Sequence, residues 1–122
     1  MAGLTNAEAQ ATLDARFPTT GGTDYIAYSA NGTSETASLA RTAVGATGWA
    51  AATAADPSVK ANANQLTSAA ATGAVAVSHF AIYSASTAGT QRTDWQALTT
   101  PRTLAIGDQL QWAVGAAQIT LT

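Results

Sequence analysis

The chain has 122 residues and no cysteine, carries a net charge of -2, and is 47% hydrophobic but only 10% charged. That length fits one domain, 1–122, able to bury roughly two-thirds of its unfolded surface. The missing thiols exclude disulfides, thiol nucleophiles and Cys-ligated metals, and five singly spread basic residues (Arg16, Arg41, Lys60, Arg92, Arg102) exclude a basic patch for nucleic acid.

Charge this far below the roughly 25% of an ordinary domain leaves a surface of Thr, Ser, Asn, Gln, Gly and Ala. Such a surface resists self-association weakly, which suits a protein covered by partners in an assembly. The N-terminus has neither a basic n-region nor an apolar h-region, and Ala2 excludes myristoylation. No stretch reaches the roughly 20 apolar residues that span a bilayer. The expected partners therefore include no nucleic acid and no membrane.

The first predicted element is a helix. Thr5 with Glu8 three residues later forms a capping box, and good helix formers run to Arg16. Leu13 and Phe17 lie four apart on the face of Ala9, and Pro18 stops the helix. So short a helix, marginal alone, must pack its apolar face: on its own sheet or, as an arm over 1–22, on a neighbouring subunit. Leu4, Leu13 and Phe17 are the candidate docking residues.

Residues 24–30 read as a strand, Asn31-Gly32 as a tight turn and 35–44 as the returning strand with Leu39, Arg41 and Ala43 on one face. Residues 45–60 read as a loop containing Trp49, and 62–66 as a short strand. Residues 75–83, Val-Ala-Val-Ser-His-Phe-Ala-Ile-Tyr, form the longest β-branched and aromatic run without Gly or Pro, and should be the central strand. A loop around Gly89 leads to a partner strand through Trp95 and Leu98, broken by Thr99-Thr100-Pro101. Leu104 and Ile106 alternate, as do Leu110, Trp112 and Val114. Ile119 and Leu121 continue the pattern out of phase, which predicts a β-bulge at 115–117. Short strands with regular turn signals predict an all-β, antiparallel β-sandwich (or small barrel) with a short N-terminal helix.

Catalytic chemistry is hard to find. His79 is the lone histidine, its neighbour Ser78 should face the opposite side of the strand, and no carboxylate sits in a telling motif. The expectation is a non-enzyme without cofactor or metal. Trp49 reads first as a core plug beneath a loop, and Trp112 as core. Trp49 and Trp95 are nevertheless the candidate surface aromatics if the chain is a carbohydrate-binding module.

The C-terminal half resembles small tailed-phage virion structural proteins of the actinobacteriophage type, variously labelled head decoration, minor structural or tail-fibre protein. The matching residues are His79-Phe80-Ala81-Ile82-Tyr83, Trp95, Leu98, Pro101-Arg102-Thr103-Leu104, Gly107-Asp108-Gln109-Leu110-Gln111-Trp112, Gly115 and Gln118-Ile119-Thr120-Leu121. Leu4-Thr5-Asn6-Ala7, Leu39-Ala40-Arg41 and Trp49 match in outline. Leu66-Thr67-Ser68-Ala69-Ala70-Ala71 departs from the pattern, being smaller and less aromatic. The resemblance implies a capsid decoration or minor capsid protein on the virion surface, assembled in the host bacterial cytoplasm. Its partners would be the major capsid or tail protein and copies of itself. The alternative within that biology is a minor tail or fibre component.

Overall fold

A computed structural model describes residues 5–55 and 57–121, so Leu4 lies outside the described residues. The elements are α1 (Asn6–Arg16), β1 (Tyr25–Ser29), β2 (Thr42–Ala43), β3 (Ser58–Ala61), β4 (Leu66–Thr67), β5 (Val75–Tyr83), β6 (Gln96–Leu104), β7 (Gln111–Trp112) and β8 (Gln118–Leu121). This is the all-β architecture with a short N-terminal helix that the sequence predicts, and the registered strand pairs are antiparallel. The chain forms two compact units, each drawn from separated stretches: one of Met1–Gly22, Val44–Gln65 and Trp112–Thr122, the other of Thr23–Ala43 and Leu66–Gln111.

In the first unit the capping box works at the cap itself: the Glu8 N–H donates to Thr5 Oγ1 at 3.2 Å. The face of α1 carrying Ala9 and Leu13 is buried, and Phe17 at the C-cap meets Trp49 edge-on with ring centroids 5.8 Å apart. The helix packs on β3, which pairs with β8 in the register Ser58↔Leu121 to Ala61↔Gln118. The segment expected to be a loop thus holds a strand. Its inward residues are Ser58 and Lys60, both 0% exposed, while Val59 and Ala61 are half-buried. An alternation with the polar residues inside has no hydrophobic signature to read.

The expected β-bulge at 115–117 is instead a turn. The Ala116 N–H donates to Ala113 O at 3.0 Å, and Gly115 has φ +81°. Glycine adopts that backbone at no steric cost, so the chain reverses and β7 and β8 enter different sheets. Val114, expected on the face of Leu110 and Trp112, is 65% exposed on that turn.

The second unit is built on the four-stranded sheet β2-β1-β5-β6. The predicted central strand has the predicted bounds and lies between β1 and β6, with Ile82, Ala81 and Val77 fully buried. The predicted return strand at 35–44 shrinks to Thr42–Ala43, which pairs with Tyr25–Ile26. Asn31 is the reason: its Oδ1 accepts from the N–H groups of Thr33 and Ser34 and from the Thr33 hydroxyl. These local bonds compete with a ladder: past the turn the Thr36 N–H reaches β1 at Tyr28 O, and registered pairing begins at β2. Gly32 at that turn has φ +77°, and a Cβ there would meet the His79 ring at 2.9 Å.

Candidate functional site

The most organised surface region of the second unit gathers around Arg41. Its side chain is only 7% exposed, and every arm of the guanidinium is used. Nε and Nη2 donate to the two carboxylate oxygens of Glu35, each at 2.8 Å. Nη1 donates to the carbonyls of Ala85 at 2.8 Å and Ala88 at 2.7 Å. The guanidinium carbon lies 3.9 Å from the Tyr83 ring centroid. The Glu35 hydrogen bonds outweigh desolvation and hold the Arg41 pKa above its usual value.

This clamp fixes the exposed loop 84–90 between β5 and β6. The loop closes on itself, with the Ser84 N–H donating to Thr90 O and the Thr90 N–H to Ser84 Oγ. Ala88 has φ +52°, a conformation that costs a non-glycine residue of order 1 kcal/mol, and its captured carbonyl compensates. Beside the loop, Tyr83 and Trp95 pair at 6.2 Å with planes 51° apart, and the Tyr83 hydroxyl donates to Gln91. Arg92 donates to the buried Asp24 at 2.5 Å.

Both charged pairs are internally neutralised, and the Gln91 amide beside Tyr83 is engaged at both ends, by the Tyr83 hydroxyl and Thr93 O. Chemically, the arrangement presents a rigid, neutral surface rather than an acid–base pair. Lysine at position 41 keeps the charge and loses the two-pronged fork. Arg41→Lys should therefore lower stability by about 1–2 kcal/mol, within the range for hydrogen bonds to charged groups. Amide exchange across 84–90 should rise severalfold in that variant, while β5 amides keep their protection; hydrogen-exchange mass spectrometry checks both.

The other candidates are dispersed. Leu13 and Phe17 are 4% and 5% exposed and are spent inside their own unit. Trp49 is 2% exposed, so the surface assignment is corrected for it: the ring is a core plug edge-on to Phe17. Trp95 is half-buried beside Tyr83. A carbohydrate platform using both tryptophans is therefore lost.

Ser78, expected to face away from His79, hydrogen-bonds it instead, with Oγ 2.7 Å from Nδ1. Between Val77 and His79 the β5–β6 register shifts, and Ser78 leaves regular alternation there. No carboxylate hydrogen-bonds this imidazole among the described residues, so the pair lacks the orienting acid of a triad. Among the described residues no three His, Cys, Asp or Glu side chains gather as a metal site, and no helix is long and apolar enough to cross a membrane.

Four polar elements carry no signal in the sequence: the Arg41–Glu35 clamp, the Arg92–Asp24 pair, the Lys60–Asp14 pair and the buried Asn62. Arg41 and Glu35 are six residues apart and Lys60 and Asp14 forty-six, and neither spacing forms a motif.

No curated protein matches the chain. A family model described as Podophage GP4 fiber I protein gp80 matches residues 4–120. The match agrees with the expected resemblance in its broad class, phage structural proteins, and falls on a fibre family. Because it spans nearly every residue from the helix cap to β8, the chain belongs to the Podophage GP4 fiber I protein gp80 family.

Proposed function

We propose that this protein is a minor tail or fibre component of a phage particle, acting through contact surfaces rather than catalysis. The observation that carries the reading is the family match across residues 4–120. Family membership supports a phage structural protein that resides in the virion and associates with other virion components. The fold is compatible with that role: a clamped, electrically neutral loop on a low-charge β scaffold offers buried interface area instead of reactive groups. Capsid decoration, the first expectation from the sequence, has less support, because the matching family is one of fibre proteins.

Counting the chain against the major capsid protein in purified virions tests the reading. Quantitative mass spectrometry should give a small number of copies per particle, and immunogold should label tails. Hundreds of copies in simple ratio to the capsid protein, with gold on heads, would return the protein to decoration. Complete absence from particles would remove the structural assignment.

A further inference from the structure

We propose that the outer edge of β6 is a strand-pairing surface deliberately interrupted, and that residues 98–101 keep it from pairing with β6 of a second copy. The four-stranded sheet ends in β2 on one side and β6 on the other. An unpaired edge is a template for another chain unless something blunts it. β2 has two residues, too few to seed a ladder. β6 has nine, and residues 99–103 are all exposed.

The usual guard on such an edge is charge, above all lysine. This chain has one lysine, Lys60, and it is 0% exposed in the other unit. Within β6 the single charge is Arg102. It lies near one end of the strand, so antiparallel pairing of two copies would place the two Arg102 side chains at opposite ends. Electrostatics therefore offers no obstacle to self-pairing, and Thr-rich strands favour it.

Geometry supplies the obstacle. Val77 pairs with Arg102 and His79 with Ala97, so one residue of β5 stands opposite the four residues 98–101 of β6. Those four residues swing out of the ladder and divide the long edge into two short pieces. The last of them, Pro101, has no N–H to offer a neighbour. Bulges and edge prolines are two established ways of blunting a sheet edge. By sequence, Thr99-Thr100-Pro101 should break the strand, whereas the ladder resumes at Arg102 and runs to Leu104.

The register specifies the test. Removing residues 99–101 brings both halves of β6 into one register, with Arg102, Leu98 and Ala97 opposite Val77, Ser78 and His79. Sedimentation velocity over a hundredfold concentration range compares this deletion, Pro101→Thr and the wild type. The deletion should shift to larger species as concentration rises, Pro101→Thr should shift less, and the wild type should hold its state. Adding Thr103→Lys to the deletion should restore wild-type sedimentation. A deletion variant that melts cooperatively and sediments as the wild type overturns the proposal. So does an association that the edge lysine fails to reverse. If the deletion does not fold, Pro101→Thr decides: sedimentation identical to wild type at every concentration overturns the proposal, and a concentration-dependent shift reversed by Thr103→Lys supports it.

Discussion

Asp14→Asn should destabilise the protein by about 3 kcal/mol, at the low end of the 3–5 kcal/mol typical when a buried ion pair loses one partner. Lys60 sits on β3 with its side chain 0% exposed, and its Nζ donates to Asp14 Oδ1 at 2.7 Å. The same oxygen accepts the Ala52 N–H at 2.9 Å, so one carboxylate ties α1 both to β3 and to the preceding loop. Removing its charge leaves an ammonium buried without compensation. The low end applies because the Asp14 side chain is 38% exposed, and water screens its half of the pair. Asp14→Asn with Lys60→Met removes both charges and should recover most of the loss, since replacing a whole buried pair is commonly neutral. Chemical denaturation of the two single variants and the double variant closes the cycle, with a coupling energy of about 2 kcal/mol expected.

The pair also sets an acid limit. The Lys60 hydrogen bond, followed by that from Ala52, lowers the Asp14 pKa below its ordinary 3.8. A carboxylate depressed in the folded state stabilises the fold above its unfolded pKa, and that contribution disappears as pH falls through the folded value. The wild type should therefore lose stability relative to the double variant below about pH 3.8. Near neutral pH the difference between the two should be flat. Parallel curves through the acid range would show that the pair contributes nothing.

Asn62→Ala should cost about 3–4 kcal/mol, since unsatisfied buried polar groups cost about 1–3 kcal/mol each. Asn62 is 1% exposed and every arm of its amide is used. Nδ2 donates to the carbonyls of Asn64 at 2.8 Å and Ala113 at 2.9 Å, and Oδ1 accepts from the buried Ala117 N–H at 2.9 Å. Its backbone holds the same turn, accepting from the Gly115 N–H and donating to Ala117 O. One side chain thus pins both ends of the reversal between β7 and β8. Asn62→Asp should be worse than alanine, because an acceptor would face two carbonyls. Melting temperatures in the order wild type, alanine, aspartate check the claim. An aspartate variant as stable as the wild type would remove Asn62 from this role.

How far the sequence carried the fold follows from where the signal lies. The helix was legible because its cap is local: Thr5 and Glu8 are three residues apart, and the Thr5 hydroxyl accepts the Glu8 N–H. β5 was legible because it is a nine-residue run of β-branched and aromatic residues without Gly or Pro, and its larger apolar side chains Val75, Val77, Phe80 and Ile82 are all buried. The broad class of phage structural protein was legible as well, through the family resemblance that residues of the C-terminal half carry. The tertiary structure decided the rest. β3 was hidden because its inward residues, Ser58 and Lys60, find their partners far along the chain or in a loop, at Asp14 and Thr53. The return strand at 35–44 dissolved because Asn31 offers the backbone local bonds that compete with a ladder. Trp49 could be a plug or a platform until Phe17 was seen beside it. The continuation of β6 past Pro101 depended on β5 supplying partners on one side only, which leaves room at the edge for a bulge and for a residue with no N–H. Local hydrogen bonds and continuous apolar burial are written in neighbouring residues, and so this chain's sequence determined its cap, its central strand and its class. Buried charge, edge position and the choice between loop and strand depend on residues tens of positions away, and only the folded chain brings those together.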